Sequence, residues 1–391
     1  MSSTPHRISA AERRTRLARR HLLAPSARAA RAVDVTDAVI ALHATDPATV
    51  HLSACARLAD AGIAEVERAL YEDVSLVRLL SMRRTLFVVS EELAPYVAAS
   101  TGHAIAVKER TTLVKHLVED GGGLDERWLA DAEDAVLAEL TARGPLTGSR
   151  LSAAVPALRT KITVFRGKKH ETVQGVSTRV IRLLAAEGRI RRDRPRGSWT
   201  SSQFGWTVSE PWPVLPPAEA QAELARRWLL RYGPATEADL KWWTGWTLGH
   251  VRKALVAVGA EEVRLDGDIV GHVAPGDTEP EPPVEPWAAL LPALDPSAMA
   301  WADRAFHLDT GHRAALFDYA GNIGPTVWWN GEIVGGWAQR ADGEFVWRLL
   351  SDPGREASAA IEAEAARLSE WVGEARITPR FRTPLERELT A

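Results

Sequence analysis

The residues best suited to chemistry are four in a row, His43-Ala44-Thr45-Asp46, followed at once by Pro47. They bring an imidazole, a hydroxyl and a carboxylate together at the start of a helix pattern. A carboxylate there can activate a water or stabilise a developing cation. His43 lies two residues before Thr45, so an extended junction would turn both toward one cleft. The plainer reading is structural: Asp before Pro is an ordinary helix start, with Asp as the cap and Pro at the first helical position. Other chemistries lack their signatures. The 11 histidines are scattered, no CxxC or zincin pair occurs, and no glycine-rich phosphate loop follows a strand. A GxSxG elbow is absent. No metal or organic cofactor is implied.

The elements that must hold these residues contain a repeat. Gly144-Pro145-Leu146-Thr147 returns as Gly233-Pro234-Ala235-Thr236. Each copy follows a long amphipathic helix pattern and precedes further helix and a two-strand hairpin, the order of a winged helix-turn-helix. The second unit has helices over 125–142, near 147–155 and over 176–187. Its wing is expected from Gly188 to Arg192 and at Trp199-Thr200. The third unit runs from Ala218 to Val273, with a hairpin around Asp266-Gly267. Upstream, helices are expected over 13–23, from Asp34 or Thr36 through Leu42 or His43, from Pro47, and over 63–71. Runs at 76–80 and 85–89 then form a hairpin around Met82-Arg83-Arg84. A polar stretch ending in Gly121-Gly122-Gly123 and the acidic stretch 275–286 are expected to be linkers. Asn330-Gly331 and Asp342-Gly343 mark hairpins of a small all-β unit, and 355–371 is a closing helix. The boundaries are 8–120, 124–212, 217–275 and 287–391.

Charge separates the two repeat copies. From Arg159 to Arg196 there are twelve Lys/Arg against Glu171, Glu187 and Asp193, a net +9 in a chain whose total is −3. This stretch covers the recognition helix and wing of the second unit, where charge on phosphates generates affinity. Arg166, Lys168, Lys169, Arg179, Arg182, Arg191, Arg192, Arg194 and Arg196 are the expected contacts to double-stranded DNA. Arg83, Arg84 and Thr85 are expected along the same DNA-facing edge as His43. The third unit carries Glu237, Asp239, Glu261, Glu262, Asp266 and Asp268 instead and is expected to pack against its neighbours. Fifteen tryptophans are read mainly as core and seam fillers. One cysteine, Cys55, excludes an internal disulfide framework and fits a reducing cytoplasm. Met1 to Arg20 is basic without an apolar h-region, and no window is long enough to span a bilayer. No coiled coil or long apolar stripe points to a dimer, so a monomer is expected.

From about residue 10 to 350 the chain resembles the AlkZ/YcaQ family of bacterial DNA glycosylases. The resemblance rests on Leu42-His43-Ala44-Thr45-Asp46-Pro47 with Leu52-Ser53-Ala54, on Met82-Arg83-Arg84-Thr85-Leu86, and on the two Gly-Pro-x-Thr turns. Leu291-Pro292-Ala293-Leu294-Asp295-Pro296 completes it. It implies a mainly α fold with β: three tandem winged helix-turn-helix units and a small C-terminal β-barrel, curved around duplex DNA. It also implies excision of alkylated bases, N7-alkylguanine or N3-alkyladenine, including bulky adducts. The family's motif, Gln-apolar-Gln or Gln-apolar-Asp, falls on His43-Ala44-Thr45, which differs at both polar positions. Asp46 is the carboxylate next to it, expected to hold the water while His43 orients it. The absence of a lysine from the motif fits a monofunctional enzyme. The other reading is a non-catalytic DNA-binding protein of the same fold, a regulator or lesion binder. Position 45 favours that reading, while the single basic unit and the large C-terminal region favour the enzyme.

Overall fold

The computed structural model describes residues 6–60 and 62–391, so the first five residues of the basic N-terminal stretch lie outside it. Ser9 opens helix α1 (Ala10–Arg20), its hydroxyl accepting from the Glu12 N–H. α2 (Ala32–Ala38) ends earlier than its sequence pattern suggests. Ile40 takes a left-handed φ of +61°, and the chain turns into a short strand, β1 (Leu42–His43), instead of continuing as helix. Val39 and Ile40 are β-branched, and pairing Leu42 with Val88 and His43 with Phe87 outweighs another helical turn. α3 (Pro47–Cys55) and α4 (Ile63–Tyr71) follow as expected. β2 (Leu76–Ser81) and β3 (Thr85–Ser90) form the hairpin, giving a sheet of order β1-β3-β2. Its turn places Arg83 and Arg84 at φ +54° and +59°, a region L-residues adopt only under constraint.

After α5 (Ala94–Val97), the stretch read as a polar linker is an 18-residue helix, α6 (His103–Asp120). Only Ala106, Leu113, His116 and Leu117 are buried along it. So narrow an apolar stripe reads as polar sequence, yet Leu113 and Leu117 enter one core with Leu129, Val180 and Leu184. α7 (Glu126–Arg143) is capped by Asp125 and stops at Gly144, whose φ of +72° a side chain would resist. α8 (Gly148–Ala154) is capped by Thr147. A hairpin the sequence did not reveal, β4 (Lys161–Val164) with β5 (Thr172–Gly175), precedes α9 (Ser177–Ala186). The next hairpin pairs β6 (Ile190–Pro195) with β7 (Phe204–Val208), so the returning strand starts after Trp199-Thr200. Trp199 is drawn away, 5.1 Å from the His51 ring and 5.9 Å from Trp371.

α10 (Pro217–Tyr232), α11 (Glu237–Thr244), α12 (Leu248–Val258) and the hairpin β8 (Glu261–Arg264) with β9 (Val270–Val273) repeat the helix–helix–hairpin order. The acidic stretch after them is pinned by α1. Arg16 and Arg20 both reach Asp277, Arg20 also reaches Glu281, and Arg19 donates to the carbonyls of Pro282 and Pro283. The remaining elements are β10 (Ala288–Leu291), α13 (Pro296–Met299), α14 (Arg313–Leu316), β11 (Thr326–Trp329), β12 (Glu332–Gln339), β13 (Phe345–Leu349), α15 (Arg355–Val372) and α16 (Pro384–Leu389). The four strands pair in the antiparallel order β10-β11-β12-β13, and no closed barrel is found among the described residues. Alternation along these strands gives the sheet two apolar faces. Ala288 and Leu290 face α15 with Val327 and Trp337, while Ala289 and Leu291 face the main core with Trp328 and Ile333. Protein covers both faces. The chain is mainly helical with sheets, and Trp228, Trp287, Trp328 and Trp337 are fully buried, as core-filling tryptophans should be.

Two of the sequence motifs meet each other inside this core. The fully buried Asp295 carboxylate accepts from Arg57 at 2.8 and 2.9 Å and from the Ser53 hydroxyl at 2.8 Å. Arg57 also donates to the His21 carbonyl, so this network ties α1, α3 and the C-terminal region together.

Candidate catalytic cleft and nucleic-acid interface

Strand β1 carries His43 to the rim of a cleft. The ring lies edge-on to Phe87 with centroids 5.3 Å apart, and the residue is 9% exposed. Burial first, then the nearby Arg83 guanidinium, pulls the imidazole pKa down to about 4. The ring is therefore neutral at pH 7, and its Nδ1 has no hydrogen-bond partner among the described residues. Thr45 is half-buried two residues on. Asp46 is engaged elsewhere: Oδ1 accepts from the Ala48 N–H at 3.0 Å as the cap of α3, and Oδ2 accepts from the Arg380 N–H at 3.0 Å.

The cleft has a volume of about 400 Å³ and brings His43 and Thr45 together with Arg84, Thr85, Glu109 and Arg182. Asn322 and Phe381 close it from the C-terminal region. Asp46 is not among its lining residues. Arg84 forms an ion pair with Glu109 of α6. Arg83 takes another direction: its guanidinium lies 4.0 Å from the centre of the Trp242 ring, and Gly245 leaves room for its stem. Arg83 and Arg84 are both exposed and line a further groove together beside Trp246 and His250, while only Arg84 also lines the cleft of His43.

A second, larger groove of about 560 Å³ adjoins the first, sharing Leu80, Leu86 and Arg182. It lies between the β2–β3 hairpin and the elements α8, α9, β6 and β7. Arg191 and Arg192 line it beside Phe204 and Trp206. Arg192 sits 4.2 Å over the Phe204 ring, and burial, followed by Arg78 and Arg380, lowers its pKa to about 10. Arg179 is half-buried on α9, with Nη1 unpartnered among the described residues. Lys168, Lys169 and Arg196 are exposed. Two of the expected contacts are occupied: Arg166 pairs with Asp120 at 2.9 Å, and Arg194 with Glu72 at 2.8 Å and Glu67 at 3.3 Å. Arg189, counted in the +9, pairs with Glu133 and Asp134. Sequence reasoning missed Arg78, on the expected hairpin itself, and Glu109, Asn322 and Phe381, which come from distant segments with no local motif. Among the described residues no cluster of three or more His, Cys, Asp or Glu could hold a metal ion. No helix is long and apolar enough to cross a membrane.

Comparison with known proteins agrees with this architecture. Streptomyces sahachiroi DNA glycosylase AlkZ matches with a TM-score of 0.68 at 22% identity, over 95% of this chain and 98% of that one. That likeness is one of fold. No curated relative matches. The model of the AlkZ-like DNA glycosylase family matches residues 36–371, most of the chain and all of the cleft except Phe381. The chain belongs to the AlkZ-like DNA glycosylase family.

Proposed function

We propose that this protein is a monofunctional DNA repair glycosylase that hydrolyses the N-glycosidic bond of alkylated bases in duplex DNA. N7-alkylguanine and N3-alkyladenine are the expected substrates, bulky adducts included. The observation that carries the reading is the cleft itself, which holds His43 and Thr45 beside Arg84, Thr85 and Arg182. The three helix–helix–hairpin units act as winged helices, and the second presents its arginines to the phosphates. The protein works as a monomer in the cytoplasm.

The chemistry asks little of the site. An N7-alkylguanine is already cationic and departs readily, leaving an oxocarbenium-like sugar. A neutral imidazole suits that cation better than an imidazolium, which would repel it. His43 and Thr45 hold the attacking water by hydrogen bonds, and the arginines position the backbone on either side. No lysine lines the cleft among the described residues, which supports hydrolysis by water over a Schiff base. Asp46 shapes the corner between β1 and α3. Its commitment to two backbone donors favours the second reading, a lesion binder without excision activity. Incubation with duplexes carrying N7-methylguanine, N3-methyladenine or a bulky N7 adduct, followed by assay for abasic sites, decides between them. Abasic sites above the spontaneous rate are expected. Tight binding with none formed would leave the lesion binder.

A further inference from the structure

We infer that Glu109 is the catalytic carboxylate of this cleft, an assignment that rests on the glycosylase reading above. It is the only carboxylate among the described residues that line the space around His43 and Thr45. The motif supplies none there: Thr45 cannot ionise, and both oxygens of Asp46 accept from backbone N–H groups. Glu109 reaches the cleft from α6, a different element from the motif, and pairs with Arg84 there. Its side chain is 21% exposed.

Its surroundings hold one of its oxygens, Oε1, and no other described contact takes Oε2. Arg84 pairs with Glu109 through Nη2 alone among the described contacts, which leaves the other guanidinium N–H groups for a DNA phosphate. Arg179 attracts the same carboxylate from α9, and Arg182 lines the same wall. A solvent-facing Arg–Glu pair adds little to folding stability. Here it fixes a carboxylate relative to the backbone of the substrate.

In the step we assign to it, the water oxygen bonds to C1′ of the sugar as the C1′–N9 bond breaks. The electron pair of that bond stays with the base and cancels the positive charge on the N7-alkylated ring. The proton released by the water passes to the Glu109 carboxylate and then to solvent. Before that transfer, the carboxylate stabilises the cationic sugar across the cleft.

The test is single-turnover excision from a duplex containing one N7-methylguanine, comparing wild type with Glu109→Gln, Glu109→Asp, Arg84→Ala and Asp46→Asn. Glu109→Gln should lose roughly 10²–10⁴-fold in rate. It should keep its thermal midpoint and its affinity for a duplex carrying a tetrahydrofuran abasic analogue. Glu109→Asp should recover part of the rate. Arg84→Ala breaks the same ion pair but keeps the carboxylate, so it should lose far less. A Glu109→Gln variant that excises at the wild-type rate overturns the assignment and leaves the glycosylase reading intact. Equal losses in Glu109→Gln and Arg84→Ala overturn it in favour of a purely positioning pair. Absence of excision by wild type overturns the glycosylase reading and this step with it.

Discussion

The two copies of the Gly-Pro-x-Thr turn sit in opposite electrostatic surroundings. In the second unit, Thr147 caps a short helix alone, and the hairpin that follows carries Arg191 and Arg192 into a groove. In the third, Thr236 and Asp239 form a reciprocal capping box, and the buried Asp239 also accepts from the N–H groups of Ala302 and Asp303. The acidic hairpin beyond it is covered by the chain's own N-terminal residues. His6 and Ile8 pair with the backbone of Arg264, Asp266 accepts from the Ala10 N–H, and Arg7 pairs with Asp268 at 2.7 Å. The same order of elements thus presents a cationic groove in one unit and an acidic face held by other parts of the chain in the other. The difference lies in the side chains on the third helix and the hairpin, and in the β4–β5 hairpin that only the second unit inserts before its third helix.

The comparison breaks first under charge reversal. Replacing Lys168, Lys169, Arg182 and Arg191 together by Glu should abolish measurable duplex binding at physiological salt. Each lost phosphate contact should flatten the slope of log affinity against log salt by about 0.9. Arg252→Glu with Lys253→Glu, on the third unit, should leave both quantities unchanged. Equal losses from the two sets would erase the distinction drawn between the units.

Stability should show the reverse ranking. Asp239→Ala removes the capping box and strands two further N–H groups, so it should cost about 2–4 kcal/mol in denaturant unfolding. Thr147→Ala, which removes one cap, should cost about 0.5–2 kcal/mol. If Thr147→Ala costs as much as Asp239→Ala, the third unit is no more of a joint than the second.

The smallest effect concerns His43, which belongs to the cleft and not to either copy. Its folded pKa of about 4 lies below the ordinary value of 6.5. As pH falls from 6.5 toward 4, the unfolded chain takes up a proton that the folded chain refuses, so stability declines over that window. His51, at about 3, adds a decline in the same direction. His43→Gln should therefore reduce the slope of unfolding free energy against pH between 6.5 and 4.5 without abolishing it. An unchanged slope would mean that His43 titrates normally in the folded protein.

Much of the frame was readable before any coordinates. Asp46-Pro47 marked the start of α3, the runs around Met82-Arg83-Arg84 marked a hairpin, and the acidic third unit was expected to pack inward. The misreadings share a physical cause, tertiary packing that overrides local pattern. α6 has too narrow an apolar stripe to stand out, and β1 exists only because β3 is there to pair with it. Trp199 left its expected strand for a core contributed by α3 and α15. The cleft was legible only where it is local. His43, Thr45, Arg84 and Thr85 could be found from their motifs, whereas Glu109, Asn322 and Phe381 arrive from three separate segments. The carboxylate assigned from adjacency was Asp46, whose oxygens accept from the Ala48 and Arg380 N–H groups.

The clasp between α1 and the acidic stretch 275–286 bears on how this protein can be handled. Arg16 and Arg20 have side-chain exposures of 2% and 10%, so their pairs with Asp277 and Glu281 are largely hidden from dissolved ions. Screening acts strongly on exposed charges and weakly on such pairs. Lys168, Lys169 and Arg196, among the expected DNA contacts, are exposed, while Arg16 and Arg20 of the clasp are not. Raising the salt concentration should therefore strip nucleic acid from the protein well before it loosens the clasp. A high-salt wash becomes a way to obtain the chain free of DNA and still folded.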